Sequence, residues 1–310
     1  MSVLSIKLGK VKYKNPVLVA SGTFGYATEF EKFFRVEQLG GIVTKTITLE
    51  PRLGNAPKRI HETPAGMLNA IGLQNVGVKS FLSDKMPYLA QLKIPIIVSV
   101  MGYSIQEFEM VVAALDQAKG IAGFELNLSC PNVKYGTGNQ ASQPKMFAHD
   151  PNLIESVLKA VRKKTKKFIS AKLGPDVSDI AMMAKAAESG GADGISLINT
   201  FRAMAIDIHT RKPVLGNVTG GLSGPCIRPI AIRMVSDVYR AVSIPIMGMG
   251  GVTSADDALE FIIAGASAIQ VGTANFINPH ICPEIIQGLN QYLKTKKIKS
   301  IQKLIGSVEL

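Results

Sequence analysis

The chain has 310 residues, 46% of them hydrophobic, with few aromatics and no tryptophan. That composition excludes a disordered or fibrous chain and leaves ample material for one large aliphatic core. The 35 basic and 23 acidic residues give a net charge of +12, which suits anionic ligands or RNA as well as plain solvated lysines on outer helices. The densest basic run, Arg162 to Lys167, closes a predicted helix, where cations suit the dipole, and reads as a solvated end. The three cysteines, Cys130, Cys226 and Cys282, are far apart and form no C-x-x-C pair. This argues against a zinc site or an iron–sulfur cluster held by the chain alone, and for a reducing, cytoplasmic setting. Met1 to Lys12 contains no apolar signal core, and no apolar stretch approaches the roughly 18 residues of a membrane span, so none is expected.

In chain order, the first predicted strands are Pro16–Ser21 and Gly41–Ile47. The connection from about Thr48 to Asn75 is too long for a turn. Strand Pro95–Met101 follows, and then a capping box, Ser104-x-x-Glu107, opens a helix with Phe108, Val111, Val112 and Leu115 on one face and Gly120 as its stop. The fourth strand, Gly123–Ser129, leads into a second long connection, from about Pro131 to Asp150. Phe168–Leu173 precedes a helix opened by Ser178, with Ile180, Met183, Ala184 and Ala187 on one face and Gly190 after it. Gly194–Asn199 and Pro245–Met249 are the sixth and seventh strands. Ser254-x-x-Asp257 opens a helix that buries Leu259, Ile262 and Ile263 and stops at Gly265. Ala268–Gly272 is the eighth strand, and a last helix runs from about Pro279 to Lys296.

These strands read as nearly continuous apolar runs, as strands covered on both faces do. Eight of them alternating with helices predict a closed (β/α)8 TIM barrel, with an open doubly wound sheet as the competing architecture. No linker or low-complexity tract divides residues 1–310, so one domain is expected. Its long loops, at about 48–75 and 131–150, follow the carboxyl ends of strands, where barrels build their sites.

Lys45 and Lys172 stand near the tips of otherwise apolar strands. Snorkelling explains such residues, but the same position aims them at the site face, where a buried cation suits an anionic substrate or a negatively charged reduced flavin. Asn127-Leu128-Ser129-Cys130-Pro131-Asn132 gathers two amides and a thiol at the end of the fourth strand. A cysteine there serves as base or nucleophile if positive neighbours lower its pKa, whereas Cys226 and Cys282 read as small buried hydrophobes. Gly248-Met249-Gly250-Gly251 ends the seventh strand and Gly272-Thr273 the eighth. Glycines at those two tips let backbone amides approach a phosphate, which points to a phosphorylated cofactor. No dinucleotide fingerprint follows the first strand.

Several segments resemble the class 1 dihydroorotate dehydrogenases, and more narrowly their NAD-linked subtype. They are Thr63 to Asn75, Asn127 to Val133, Asn199-Thr200, Arg211-Lys212-Pro213 and Thr219 to Pro225, and the resemblance runs from about residue 4 to 305. It implies an FMN-dependent oxidation of dihydroorotate to orotate in pyrimidine biosynthesis, with hydride passing to flavin N5. Cys130 would be the base at substrate C5; a different class of relatives carries Ser there. Lys45, Asn69, Ala70, Ile71, Gly72, Leu73, Asn127, Asn132, Asn199 and Thr200 would hold substrate. Ser21, Lys45, Thr46, Ser99, Asn127, Lys172, Ile198, Gly224, Gly250, Gly251, Gly272 and Thr273 would hold FMN, with Lys172 near flavin N1 and O2. No metal site is implied. The family usually carries Asn at Ser99 and a Ser and an Asn around Pro175, and the loop after Cys130 is longer here than is typical.

The resemblance also implies a homodimer that forms a heterotetramer with a subunit carrying FAD and a 2Fe–2S cluster, which delivers electrons to NAD. Without that partner, fumarate or a quinone would have to reach the FMN. A tRNA dihydrouridine synthase would need an RNA-binding region after the barrel, and only a short tail follows the last helix, so no nucleic acid is expected. A dihydropyrimidine dehydrogenase-like barrel usually belongs to a much larger cluster-bearing chain. A non-catalytic scaffold sits poorly with two strand lysines, a loop cysteine and two glycine-rich tips.

Overall fold

A computed structural model describes residues 2–128 and 147–309. We number its barrel strands in chain order: β1 (Val17–Val19), β2 (Gly41–Val43), β3 (Ile96–Val100), β4 (Ile121–Asn127), β5 (Phe168–Lys172), β6 (Gly194–Leu197), β7 (Ile246–Gly248) and β8 (Ala268–Val271). All neighbours are parallel, and β8 closes on β1 through the Ile269↔Val17, Gln270↔Leu18 and Val271↔Val19 pairs. The closure excludes the open sheet. Each strand overlaps its predicted run, and several are shorter at the tip. Beyond β2, for instance, the ladder survives only as an isolated Ile47–Val100 bridge, and the chain diverges to form loops.

Helices cover the barrel where apolar residues recur at helical spacing. Ser104 caps Ile105–Asp116 by accepting from Glu107 N, and Ser254 caps Ala255–Ala264 by accepting from Asp257 N, as the two capping boxes predict. The next helix, Ile180–Ser189, corrects the sequence reading: Asp179, not Ser178, accepts from Met182 N. A carboxylate at that end also suits the dipole. The basic run sits as expected at the end of helix Pro151–Arg162, where Arg162 pairs with Asp193 at 2.8 Å. Among the described residues no helix is long and apolar enough to cross a membrane.

Besides a short pair, Ile206–Asp207 with Lys212–Pro213, two larger additions were not predicted. A hairpin, Ile6–Leu8 with Val11–Tyr13, lies under the amino end of the barrel. Its Leu8 and Tyr13 are buried, and Gly41 lets the Tyr13 ring approach: a Cβ there would lie 2.9 Å from that ring. The second addition is a four-stranded antiparallel sheet above the carboxyl end, in the order Phe201–Ala203, Gly220–Ser223, Gly66–Asn69, Ile60–Thr63. It joins the excursion after β2 to a second one, after β6, through the Gly221↔Asn69 and Ser223↔Met67 pairs.

Candidate active site

The carboxyl end of the barrel opens into a cleft of about 330 Å³, bounded above by the four-stranded sheet. Strand alternation decides what faces it. Asn127 of β4 and Lys172 of β5 are register partners and point inward together. Both are buried, and both line the cleft.

Hydroxyls and amides form a continuous chain across one wall. Ser21 Oγ lies 3.0 Å from Thr46 Oγ1, and Thr46 Oγ1 lies 2.9 Å from Ser99 Oγ. Asn127 donates to Thr46 Oγ1 at 3.4 Å, and Asn199 donates to Asn127 Oδ1 at the same distance. The Asn199 carbonyl oxygen of the side chain accepts from Thr200 N at 2.9 Å. Such amides, already oriented, present a fixed donor and acceptor pattern to a planar polar ring.

On the sheet side, Asn69 donates to Gly221 O at 3.3 Å, so the sheet itself carries Asn69 to the cleft. The strip beyond it turns sharply: Gly72 and Leu73 have φ of 74° and 56°. Leu73 is not glycine, and the turn is held by Asn75, a buried residue that donates to Leu73 O at 2.8 Å and accepts from Thr48 N and Gly77 N.

The opposite end is built from glycine. Gly224, Gly250 and Gly251 have φ of 101°, 128° and 80°. A Cβ on Gly251 would lie 2.7 Å from Gly224 O, and one on Gly224 would lie 2.7 Å from Gly66 Cα. Side chains are thus excluded, and backbone amides are left to face the cleft near Thr273, whose hydroxyl donates to Ser223 Oγ at 2.8 Å. The Gly250–Thr253 turn is braced by Asp257, which accepts from Thr253 N and Oγ1 and pairs with Arg228. This cradle fits a phosphate group.

Among the described residues, two cations reach the cleft. Lys172 is buried, and Lys45 is half-buried, with its ammonium held below the ordinary lysine value first by burial and further by Arg59, against an opposing pull from Glu29. Among the described residues no cluster of acidic, His or Cys side chains fits a metal ion.

The cleft therefore gathers Ser21, Lys45, Thr46, Asn69, Ile71, Gly72, Leu73, Asn127, Lys172, Ile198, Asn199, Thr200, Gly224, Gly250, Gly251, Gly272 and Thr273. Two expected residues stand elsewhere. Ala70 is buried in a small apolar cluster with Leu68 and Leu215, because strand alternation turns it away from Asn69. Ser99 lies beneath the wall and touches the cleft only through Thr46. Cys130 and Asn132 lie outside the described residues. Of the cysteines read as buried, Cys282 is buried, with its thiol pushed up by burial, whereas Cys226 is exposed.

The sequence reading also passed over residues that the fold brings in. Gly22, with φ of 90°, has nothing within 4 Å of a Cβ position and opens onto the cleft. Gln270 on β8 forms part of the floor, and under it Glu125 on β4 is fully buried. A polar residue within an apolar strand is a readable signal, and Glu125 and Gln270 carry it as Lys45, Asn127 and Lys172 do.

A sequence profile described as dihydroorotate dehydrogenase matches residues 3–293 of this chain. The chain belongs to the dihydroorotate dehydrogenase family. It is 50% identical over 307 residues to the protein of Thermodesulfovibrio yellowstonii named dihydroorotate dehydrogenase B (NAD(+)), catalytic subunit, covering 99% of each chain. Proteins of the same name from Trichlorobacter lovleyi (49% over 306 residues, 99% of this chain and 98% of the relative) and a Thermoanaerobacter species (48% over 307 residues, 99% of each) are similar over the same span.

Proposed function

We propose that this chain oxidises dihydroorotate to orotate in pyrimidine biosynthesis, as the FMN-bearing catalytic subunit of an NAD-linked dihydroorotate dehydrogenase. One observation carries the reading: a single cleft joins an amide-rich wall, two lysines and a glycine-built phosphate cradle, in a chain about half identical to named catalytic subunits along nearly its whole length.

Bound FMN would supply a two-electron acceptor for the substrate hydride. The chain's residues do the rest. Gly224, Gly250, Gly251, Gly272 and Thr273 hold the phosphate end. Ser21, Thr46 and Lys172 face the ring system, and Ser99 backs Thr46. Lys45 supplies positive charge for the substrate carboxylate, and Asn69, Asn127, Asn132 and Asn199 fix the substrate ring with Thr200 and the Ile71–Leu73 backbone. Ala70 supports this strip from behind.

Cys130 takes the C5 proton. A thiol has an ordinary pKa near 8.5, so it performs this task best once neighbouring positive charge or alkaline pH favours the thiolate. On this reading, residues 1–310 act as one FMN-binding barrel in the cytoplasm. A separate subunit with FAD and a 2Fe–2S cluster takes the electrons to NAD, on a homodimeric core. The relatives' designation as catalytic subunits supports a partner.

The test is direct. The purified chain should be yellow and should bleach when dihydroorotate is added without an acceptor. It should reduce NAD only with the partner subunit present. A chain that neither holds nor takes up FMN, or whose flavin ignores dihydroorotate, refutes the proposal.

A further inference from the structure

Beneath the floor of the cleft lies a carboxylate that neither substrate nor cofactor needs to touch. Glu125 of β4 is fully buried inside the barrel. Its Oε2 accepts from Ser196 Oγ at 2.8 Å and from Gln270 Nε2 at 2.9 Å, and Ser170 Oγ stands 2.8 Å from Ser196 Oγ. Its other oxygen, Oε1, has no hydrogen-bond partner and lies 3.9 Å from the ammonium of Lys172. Barrel interiors are ordinarily filled by branched aliphatic residues, and an ion buried there is costly unless it is paired.

The register explains how the assembly forms. Ser99, Glu125 and Ser170 are neighbours across β3, β4 and β5, and Lys172 pairs with Asn127 on one side and Ser196 on the other. Two donors from β6 and β8 pin one carboxylate oxygen and leave the second turned to Lys172. The ammonium in turn lines the cleft.

We propose that Glu125 is a positioning residue for the Lys172 cation: clamped by Ser196 and Gln270, its carboxylate holds the ammonium aimed upward into the cleft, so that positive charge is in place before the bound cofactor gains negative charge. This rests on the FMN reading above. Glu125 acts on the flavin only through Lys172. Without the carboxylate, the ammonium loses the anion that orients it and is no longer held at the cleft. The flavin then loses the nearby cation and becomes harder to reduce.

The experiment compares the FMN-loaded full chain with Glu125→Gln, Lys172→Met and the double variant. Bound flavin is counted by absorbance, and its midpoint potential is read by equilibration with reference dyes. Glu125→Gln should keep its flavin and shift the potential downward, in the direction of Lys172→Met. The double variant should match Lys172→Met, since nothing remains for the carboxylate to act through. A Glu125→Gln potential that stays unchanged or rises with flavin bound overturns the proposal, as does a double variant displaced from Lys172→Met by the full single shift.

Should Glu125→Gln fail to fold, Ser196→Ala, which removes one of the two donors that clamp the carboxylate, still decides. It should keep its flavin and shift the potential in the same direction by a smaller amount. A potential that stays unchanged or rises with flavin bound overturns the proposal. A wild-type chain with no flavin absorbance sinks the cofactor reading and this proposal with it, and is told apart by the missing flavin in every sample.

Discussion

The two ends of the barrel are built from the same strands and do opposite things. At the amino end the hairpin seals the interior with the buried side chains of Leu8 and Tyr13, and Tyr13 leaves its hydroxyl without a partner. At the carboxyl end the inward positions are Asn127, Lys172, Ser196 and Gln270, and nearly every polar atom named there is matched to another. The lesson is one of division: stability is invested in the amino end and chemistry in the carboxyl end, so substitutions at the two ends should separate folding from function.

The sharpest separation is expected at Cys130. Cys130→Ala should lower turnover by about 100- to 10,000-fold, the worth of a positioned base, while flavin content and melting temperature hold. Steady-state rates with dihydroorotate check it, and wild-type turnover would contradict the assigned role. Next comes the amino end. Tyr13→Ala should cost about 3–5 kcal/mol by removing a large buried ring, whereas Tyr13→Phe should be nearly neutral, since the lost hydroxyl has no partner. Denaturant titration measures both, and FMN affinity should follow neither. An unchanged stability in Tyr13→Ala would break the comparison from its other side.

A smaller effect is expected at the cradle. Gly224→Ala places a side chain at φ of 101° and 2.7 Å from Gly66 Cα. Strain of about 1–3 kcal/mol should appear as weakened FMN binding in a fluorescence titration, with little loss of fold.

The gentlest prediction concerns pH. Burial lowers the pKa of Lys45 on folding, so the folded chain binds fewer protons there than the unfolded one. The free protein accordingly gains stability as pH rises through the interval between the lowered value and 10.5. On the proposed role of Lys45 in holding the substrate carboxylate, orotate affinity should be level below that interval and fall within it. Calorimetric titrations across pH should show this, and Lys45→Met should be weaker and flatter.

Much of this division is visible in the sequence, and the exceptions are physical. The barrel strands announce themselves because parallel strands covered on both faces must be apolar throughout. Lys45 and Lys172 stand out against that background. Glu125 and Gln270 do so equally, but a single polar residue inside an otherwise apolar run is easily absorbed into it. The hairpin has a period-two signal in Ile6, Leu8, Val11 and Tyr13, yet it is only three residues a side, too short to distinguish from a loop. Ser178 lost the cap to Asp179 because adjacent capping residues offer near-equal solutions, and only packing of the first turn decides. Ala70 was carried into the substrate strip by its neighbours in a motif, and one step of strand alternation turns it away.

The sheet that joins the two excursions has a consequence for inheritance. Residues 60–69 and 201–223 are far apart in the gene, yet their main chains are hydrogen-bonded to one another over the cleft. Exchanging one segment alone for a relative's version should therefore disturb the cleft more than exchanging both together, so a chimaera is best built with both segments from the same parent.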